Sequence, residues 1–332
     1  MPQQGPDSCQ NGTAANGGGS GDAAGPSTSL RQVCLELRAK VDAFLAQDVE
    51  TKRLKGVQAQ VKEAMGVIDE ALDKYSFEEL SLSYNGGKDC LVLLVLILAC
   101  LPRHFDDDDN NNTTTTTTTT TTTPTNPTSP QQPSVTNHTI NNHNPPHHSH
   151  PPTNTPLAAT PRAATPTTPL PPFPKTLQSV YIVSEHPFPE VDDFVELSTQ
   201  QYHLDLCRYS LPMRAALEAY LVERPRLRAI FVGTRRTDPH GAELRHFDPT
   251  DEGWPAFVRV HPVIDWHYAE IWAFIRHLGI PYLSLYDQGY TSLGGTEDTH
   301  PNPHLKKDDG AHGFRPAYEL IGDDEERLGR ER

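Results

Sequence analysis

Between residues 30 and 74 the apolar side chains Val33, Leu37, Val41, Phe44 and Leu45, then Val57, Val61, Ala64, Ile68 and Leu72, return at steps of three and four. That is the period of amphipathic helices. Residues 80–84 alternate apolar and polar like a short strand, the next four are Asn-Gly-Gly-Lys, and residues 90–101 are apolar without interruption. The run is far shorter than the ~20 residues that span a bilayer, so it reads as a buried helix after a glycine loop. Residues 180–183 (VYIV) and 229–232 (AIFV) are short continuous apolar runs, the pattern of parallel strands covered on both faces. Helices are predicted over residues 190–204, over 212–222 with Pro212 in the first turn, and over 267–278, stopped by Gly279 and Pro281. Residues 257–264 predict one more strand, its end confined by Pro262 to an edge or a bend. Strands alternating with helices imply an α/β fold with a doubly wound, mostly parallel sheet.

One stretch breaks the pattern. Of 31 prolines, 15 fall between residues 124 and 174, beside an unbroken threonine run at 113–123 and four Asp at 106–109. The expected organisation is a disordered tail over 1–29, one folded domain formed by 30–102 and 174–332, and a low-complexity, disordered insert over 103–173. His143, His147, His148 and His150 belong to that composition rather than to a metal site. The insert occupies a helix-to-strand connection, at the end of the sheet opposite the strand carboxyl ends where ligands bind.

The formal net charge of -15 argues against nucleic acid or an anionic membrane as partner. An anionic substrate therefore needs a local device to hold it. Five Cys follow no metal spacing, and no basic residue precedes Arg31. A reducing, cytoplasmic location without disulfides is expected.

The strongest local device is the loop after the first strand. Gly86 and Gly87 let backbone approach an anion, and the start of the following helix supplies positive potential, so the segment suits phosphate. Lys88 adds a point charge. Asp89 has the wrong sign to touch phosphate but suits Mg²⁺ held beside it. The spacing fits neither the Walker nor the Rossmann glycine pattern. Cys90, at a helix N-terminus, is expected to have a lowered thiol pKa. Arg235 and Arg236 lie just past the third apolar strand, where forked donors meet phosphate, and Asp238 can accept from a ligand N–H or orient an arginine. Trp254 offers flat apolar surface, whereas Trp266 reads as core.

Asn85-Gly86-Gly87-Lys88-Asp89-Cys90 resembles the pyrophosphate loop Ser-Gly-Gly-x-Asp-Ser of the nucleotide alpha hydrolases, with Asn85 for the first Ser and Cys90 for the last. The variant is similar to the phosphoadenylylsulfate-reductase-like branch that holds the eukaryotic FAD synthases (FMN adenylyltransferases). Residues 233–239, 251–255, 259–266, 286–295, 301–303 and 326–330 resemble further segments of that family, in the same order. The resemblance implies an adenine nucleotide alpha hydrolase-like fold and transfer of AMP from ATP to FMN with Mg²⁺, giving FAD and pyrophosphate. It places ATP on Ser83, Asn85, Gly86, Gly87, Lys88 and Ser184, and the metal on Asp89. It places FMN on Arg235, Arg236, Asp238, Asp251, Trp254, Arg327 and Arg330. Asn85, Asp89, Asp238, Arg327 and Arg330 form the implied catalytic set, and client apo-flavoproteins are admitted as partners. Without the resemblance, residues 326–330 read as a solvated tail. Three competitors stand beside this reading: a sulfonucleotide reductase, which needs a C-terminal cysteine although none follows Cys207; a sulfurylase subunit; and a non-catalytic flavin or nucleotide module.

Overall fold

Leu80–Ser83 forms β1 at the middle of a six-stranded sheet, and every other element is placed by its relation to that strand. The computed structural model describes residues 28–106, 170–307 and 313–331. The other strands are β2 (Leu177–Ile182), β3 (Leu204–Tyr209), β4 (Ala229–Phe231), β5 (Phe247–Pro249) and β6 (Val258–Val260), in the order β3-β2-β1-β4-β6-β5. All neighbours are parallel except β5, which runs antiparallel to β6. The order reverses at β1: β2 and β3 step to one side, β4 and β6 to the other. Crevices for ligands form at such a switch, beyond the strand carboxyl ends.

Helices α1 (Leu30–Ala46), α2 (Lys52–Lys74), α3 (Lys88–Cys100) and α6 (Tyr268–His277) share one core with β1, and α4 (Pro189–Gln201) joins them through Val191 and Val195. Helix α5 (Met213–Glu223) packs Ala216 and Tyr220 against Val180, Cys207 and Ile230 in a second core. Ala229 and Phe231 of β4 belong to the first core and Ile230 to the second, the period-two alternation of a strand covered on both faces. From Cys90 to Cys100, α3 is buried on every side, as its unbroken apolar sequence requires. Ser29 and Thr51 cap α1 and α2, accepting from the N–H groups of Gln32 and Leu54 at 3.3 and 3.2 Å.

The sequence reading needs correction in several places. It runs the helix that starts near residue 190 to Leu204, whereas α4 ends at Gln201 and β3 begins three residues on; β5 is not anticipated at all. Pro212 is the cap residue of α5 rather than part of its first turn. β6 is shorter than expected and stops at Val260; of the two outcomes expected of Pro262, the bend holds, since residues 262–265 form a turn, whereas the strand is not at the edge because β5 pairs beyond it. Cys34, Cys90 and Cys100 are free, buried thiols. Among the described residues no helix is long and apolar enough to cross a membrane.

The expected tail lies outside the described residues but for Thr28 and Ser29, and the expected insert does so except at its edges. There the fold reaches further than predicted. Phe105 is buried and packs edge-on between Phe77 and Phe173, with centroids at 5.3 and 5.8 Å, and the Asp106 N–H donates to Pro171 O at 2.8 Å. The chain thus leaves and re-enters the domain at adjacent points. Replacing residues 107–169 with a short Gly/Ser linker should leave the melting temperature unchanged or raised, because the closing loop becomes shorter. A fall beyond about 5 °C, more than 1 kcal/mol for a domain of this size, would show that the segment supports the core.

Candidate active site

Three strand ends open into one cavity of about 350 Å³. β1 leads through Ser83 to Asn85, β2 to Ser184, and β4 through Val232 and Gly233 to Thr234, all on its wall. The start of α3 enters between them and contributes Gly87, Lys88 and Asp89; Asp238, Tyr286, Ser292, Glu326 and Arg327 add further polar lining.

The glycine loop is shaped by its own side chains. Gly86 has φ +72°, in the left-handed region, and a Cβ there would stand 3.0 Å from Val195 and 3.2 Å from Phe194, so glycine is favoured at this turn. Asn85 Oδ1 accepts from the Gly87 N–H and from the Cys90 thiol, both at 3.0 Å. The Lys88 N–H donates to the Tyr286 hydroxyl at 3.0 Å, and the first bond of helical type runs from the Leu91 N–H to Gly87 O. The positive end of α3 is therefore fixed at the cavity. Burial pushes the Cys90 thiol up to about 12, which reverses the expected lowering: the sulfur is a packed donor to Asn85 and Gly87, not a thiolate.

Beneath the loop lies a dense ionic cluster. Lys88 Nζ sits 2.9 Å from Asp89 Oδ2 and 2.5 Å from Glu326 Oε1, and 5.2 Å from the centre of the Tyr268 ring. Arg235 is fully buried. Its Nε lies 2.9 Å from Asp89 Oδ1, an ion pair without hydrogen-bond alignment, while Nη2 meets Glu326 Oε2 and, at 3.3 Å, Asp238 Oδ1. Asp238 Oδ2 also accepts from the Arg235 backbone N–H at 2.8 Å. Burial alone would raise the Asp89 carboxyl, but Arg235 and Lys88 outweigh it and hold the group below the usual carboxylate range. Burial likewise works against the charges of Lys88 and Arg235, and the carboxylates beside them, Asp89 first, raise both above their ordinary values.

This cluster changes several assignments. Arg235 is not a free fork for phosphate, because its guanidinium is sealed among carboxylates beneath the cavity. Arg236 is exposed and braces its own loop, bonding Asp265 at 2.5 Å, Ala242 O and Leu244 O, and it does not border the cavity. Asp251 faces Arg259 at 3.3 Å and Trp254 is exposed, both on the segment between β5 and β6 and outside the cavity lining. Arg330 also stands off the cavity, pairing with Asp298 at 3.0 Å and lying where a Cβ on Gly294 would be. Arg327 does border it, with Nη1 3.4 Å from Ser292 Oγ. Trp266 is core, as expected. Asp89 does not fit the role of resident metal ligand: one oxygen faces Lys88 and the other Arg235. The one group with metal-ligand spacing among the described residues is Glu63, His246 and Asp265, and Arg236 already holds Asp265.

Two residues carry roles the sequence reading did not assign, although both lie in segments that bear the family resemblance. Tyr286 anchors the loop, and Glu326 joins both cluster cations; their partners are far away in the chain, so local spacing does not reveal the contacts.

Comparison with known proteins identifies the family. A model of the phosphoadenosine phosphosulfate reductase domain matches residues 210–301. A probable FAD synthase of Schizosaccharomyces pombe is 34% identical over 280 residues, covering 84% of this chain and 82% of the relative. The chain belongs to the FAD synthase family. A probable FAD synthase of Caenorhabditis elegans is 28% identical over 89% of the chain, which spans 45% of that longer relative. The crystal structure of Candida glabrata FMN adenylyltransferase with FAD and inorganic pyrophosphate superposes with a TM-score of 0.69 at 25% identity, covering 92% of this chain and 98% of that one.

Two outcomes follow from the geometry. A Cβ on Gly233 would stand 2.9 Å from the Cys90 backbone nitrogen, so Gly233→Ala should push the start of α3 off β4 and weaken ATP binding at least tenfold by titration calorimetry; unchanged affinity would dissociate α3 from the nucleotide site. Asp89→Asn should cost on the order of 3 kcal/mol, because it breaks the two ion pairs that the carboxylate makes inside the protein with Lys88 and Arg235. As the folded carboxyl is held low, its contribution is full above the unfolded pKa and is lost as pH falls through the folded one. The stability gap between wild type and Asp89→Asn should therefore be constant from about pH 6 to 8 and narrow below about pH 4; a gap that widens in acid would contradict the pairing.

Proposed function

We propose that this protein transfers AMP from ATP to FMN, releasing pyrophosphate and forming FAD. The supporting observation is a cavity at the switch point of the sheet, with a helix N-terminus and Arg327 on its wall, in a chain of the FAD synthase family.

An FMN phosphate oxygen attacks the α-phosphorus of ATP, the new P–O bond forms in line, and the bond to the β-phosphate oxygen breaks as pyrophosphate leaves. A phosphate monoester is ionised at neutral pH, so no general base is needed and the residues act by placement and charge. The loop over Asn85, Gly86 and Gly87 and the first turn of α3 hold the triphosphate, with Ser83 and Ser184 beside it. Arg327 balances charge that develops on the leaving group. Lys88, Asp89, Asp238 and Arg235 keep that platform rigid from beneath. Asp251 and Trp254 lie outside the cavity lining and are kept as flavin-side residues on the family resemblance alone. Mg²⁺ enters as the ATP complex, with the triphosphate as its ligand. The cytoplasm, and delivery of FAD to apo-flavoproteins, agree with this reading. The reductase domain match covers only residues 210–301, whereas the probable FAD synthase of Schizosaccharomyces pombe matches over 84% of the chain, so the former supports a likeness of scaffold.

Purified protein given ATP, Mg²⁺ and FMN should produce FAD and pyrophosphate in equal amounts by chromatography; no FAD above a protein-free control would overturn the proposal. Arg327→Ala should lower kcat/KM at least tenfold, about 1.4 kcal/mol of transition-state stabilisation, with the melting temperature unchanged. Arg330→Ala should lower activity together with melting temperature, because that guanidinium ties the terminus to Asp298. Equal thermal effects of the two substitutions would show that Arg327 is structural as well.

A further inference from the structure

The acidic C-terminal segment 323–326 holds four carboxylates in a row, and Glu326 is the one that is buried. It reaches both cluster cations at once, Lys88 through Oε1 and Arg235 through Oε2. Asp89 and Asp238 also pair with these cations, so Glu326 shares the neutralisation with carboxylates of the other two segments. What Glu326 adds is a mechanical link between the C-terminal arm and the floor of the cavity. The arm's backbone is held on the same side: Thr291 Oγ1 donates to Glu326 O at 2.5 Å, and Asn302 Nδ2 to Glu325 O at 2.8 Å. Downstream, the His300 N–H donates to Gly329 O at 2.8 Å. Arg327 lies between these anchors, one residue from Glu326, and consecutive Cα atoms are only ~3.8 Å apart.

We propose that Glu326 is a positioning residue that latches the arm to Lys88 and Arg235 and thereby sets the Arg327 guanidinium at the cavity. Lys88 acts in the same latch, held by two carboxylates, rather than as a donor to phosphate. The inference rests on the FMN adenylyltransferase reading for the role of Arg327, but not for the latch itself.

A double-mutant cycle separates positioning from general support. Glu326→Gln should lower kcat/KM at least tenfold, mainly in kcat, in the wild-type background and less than twofold in the Arg327→Ala background. Losses that multiply in the double variant would overturn the proposal. Trypsin gives a reading that needs no activity: cleavage after Arg327 should be at least tenfold faster in Glu326→Gln than in wild type, with other sites cut at the wild-type rate and a melting temperature within a few degrees. Equal cleavage rates would overturn the latch. If Glu326→Gln does not fold, Glu326→Asp, which keeps the charge but shortens the reach, takes its place in both measurements with the same expected directions. A wild-type protein that makes no FAD while its arm is protected would sink the functional reading and leave the latch standing.

Discussion

A guanidinium removed from water must find its counter-charges where it lies, because an isolated ion in a low-dielectric interior is prohibitively unfavourable. Arg235 is fully buried at the exit of β4, and its carboxylates come from three segments: Asp89 at the start of α3, Asp238 on its own loop, and Glu326 with the more distant Asp323 on the C-terminal arm. Lys88 repeats the demand from the other side through Asp89 and Glu326. Two buried cations thus draw the glycine loop, the exit of β4 and the terminus to one point. Each of these elements bears part of the cavity wall, so the requirement to neutralise charge also builds the site.

The same arithmetic explains how a strongly acidic chain receives polyanionic substrates. The cluster cations are matched by protein carboxylates, so the positive potential at the cavity comes from the N-terminus of α3 and from Arg327. Both are local. Helix dipoles act only over about their first turn, so this attraction extends little beyond the pocket and leaves the acidic surface unchanged. Asp323 carries the cluster to the helix layer, accepting from the Tyr268 N–H at 2.6 Å and from His267 at 2.7 Å, which couples the arm to the start of α6.

What was legible in the sequence was what is local. The glycine loop follows from strand, loop and apolar helix in immediate succession, and Gly86 occupies the one left-handed position that the loop contains. The buried helix and the strands at 180–183 and 229–232 declared themselves by apolar runs. β3 did not, because Leu204, Leu206, Cys207 and Tyr209 continue apolar spacing from the preceding helix, and only the left-handed His203 marks the turn between them. β5 is three residues long and exists through pairing with β6. The arginines were recognised as chemistry-bearing but not sorted: Arg235 goes inward, Arg236 bonds its own loop, and nothing in two consecutive arginines distinguishes them until the carboxylates of distant segments are in place. Glu326 sits in a segment that bears the family resemblance, but its pairing is not legible there, since a terminal acidic run reads as solvated until Lys88 is found 238 positions earlier.

Arg235 and Lys88 are paired within the protein and Arg327 borders the cavity, so a bound nucleotide should be met by Arg327 and not by the other two cations. Chemical footprinting reads this directly. Phenylglyoxal should modify Arg327 in the free protein, mass spectrometry should show at least tenfold protection by ATP with Mg²⁺, and Arg235 should remain unmodified with or without nucleotide, as should Lys88 towards an amine reagent. Modification of Arg235 or Lys88 in the folded protein, or an Arg327 that reacts equally with and without ATP, would contradict it.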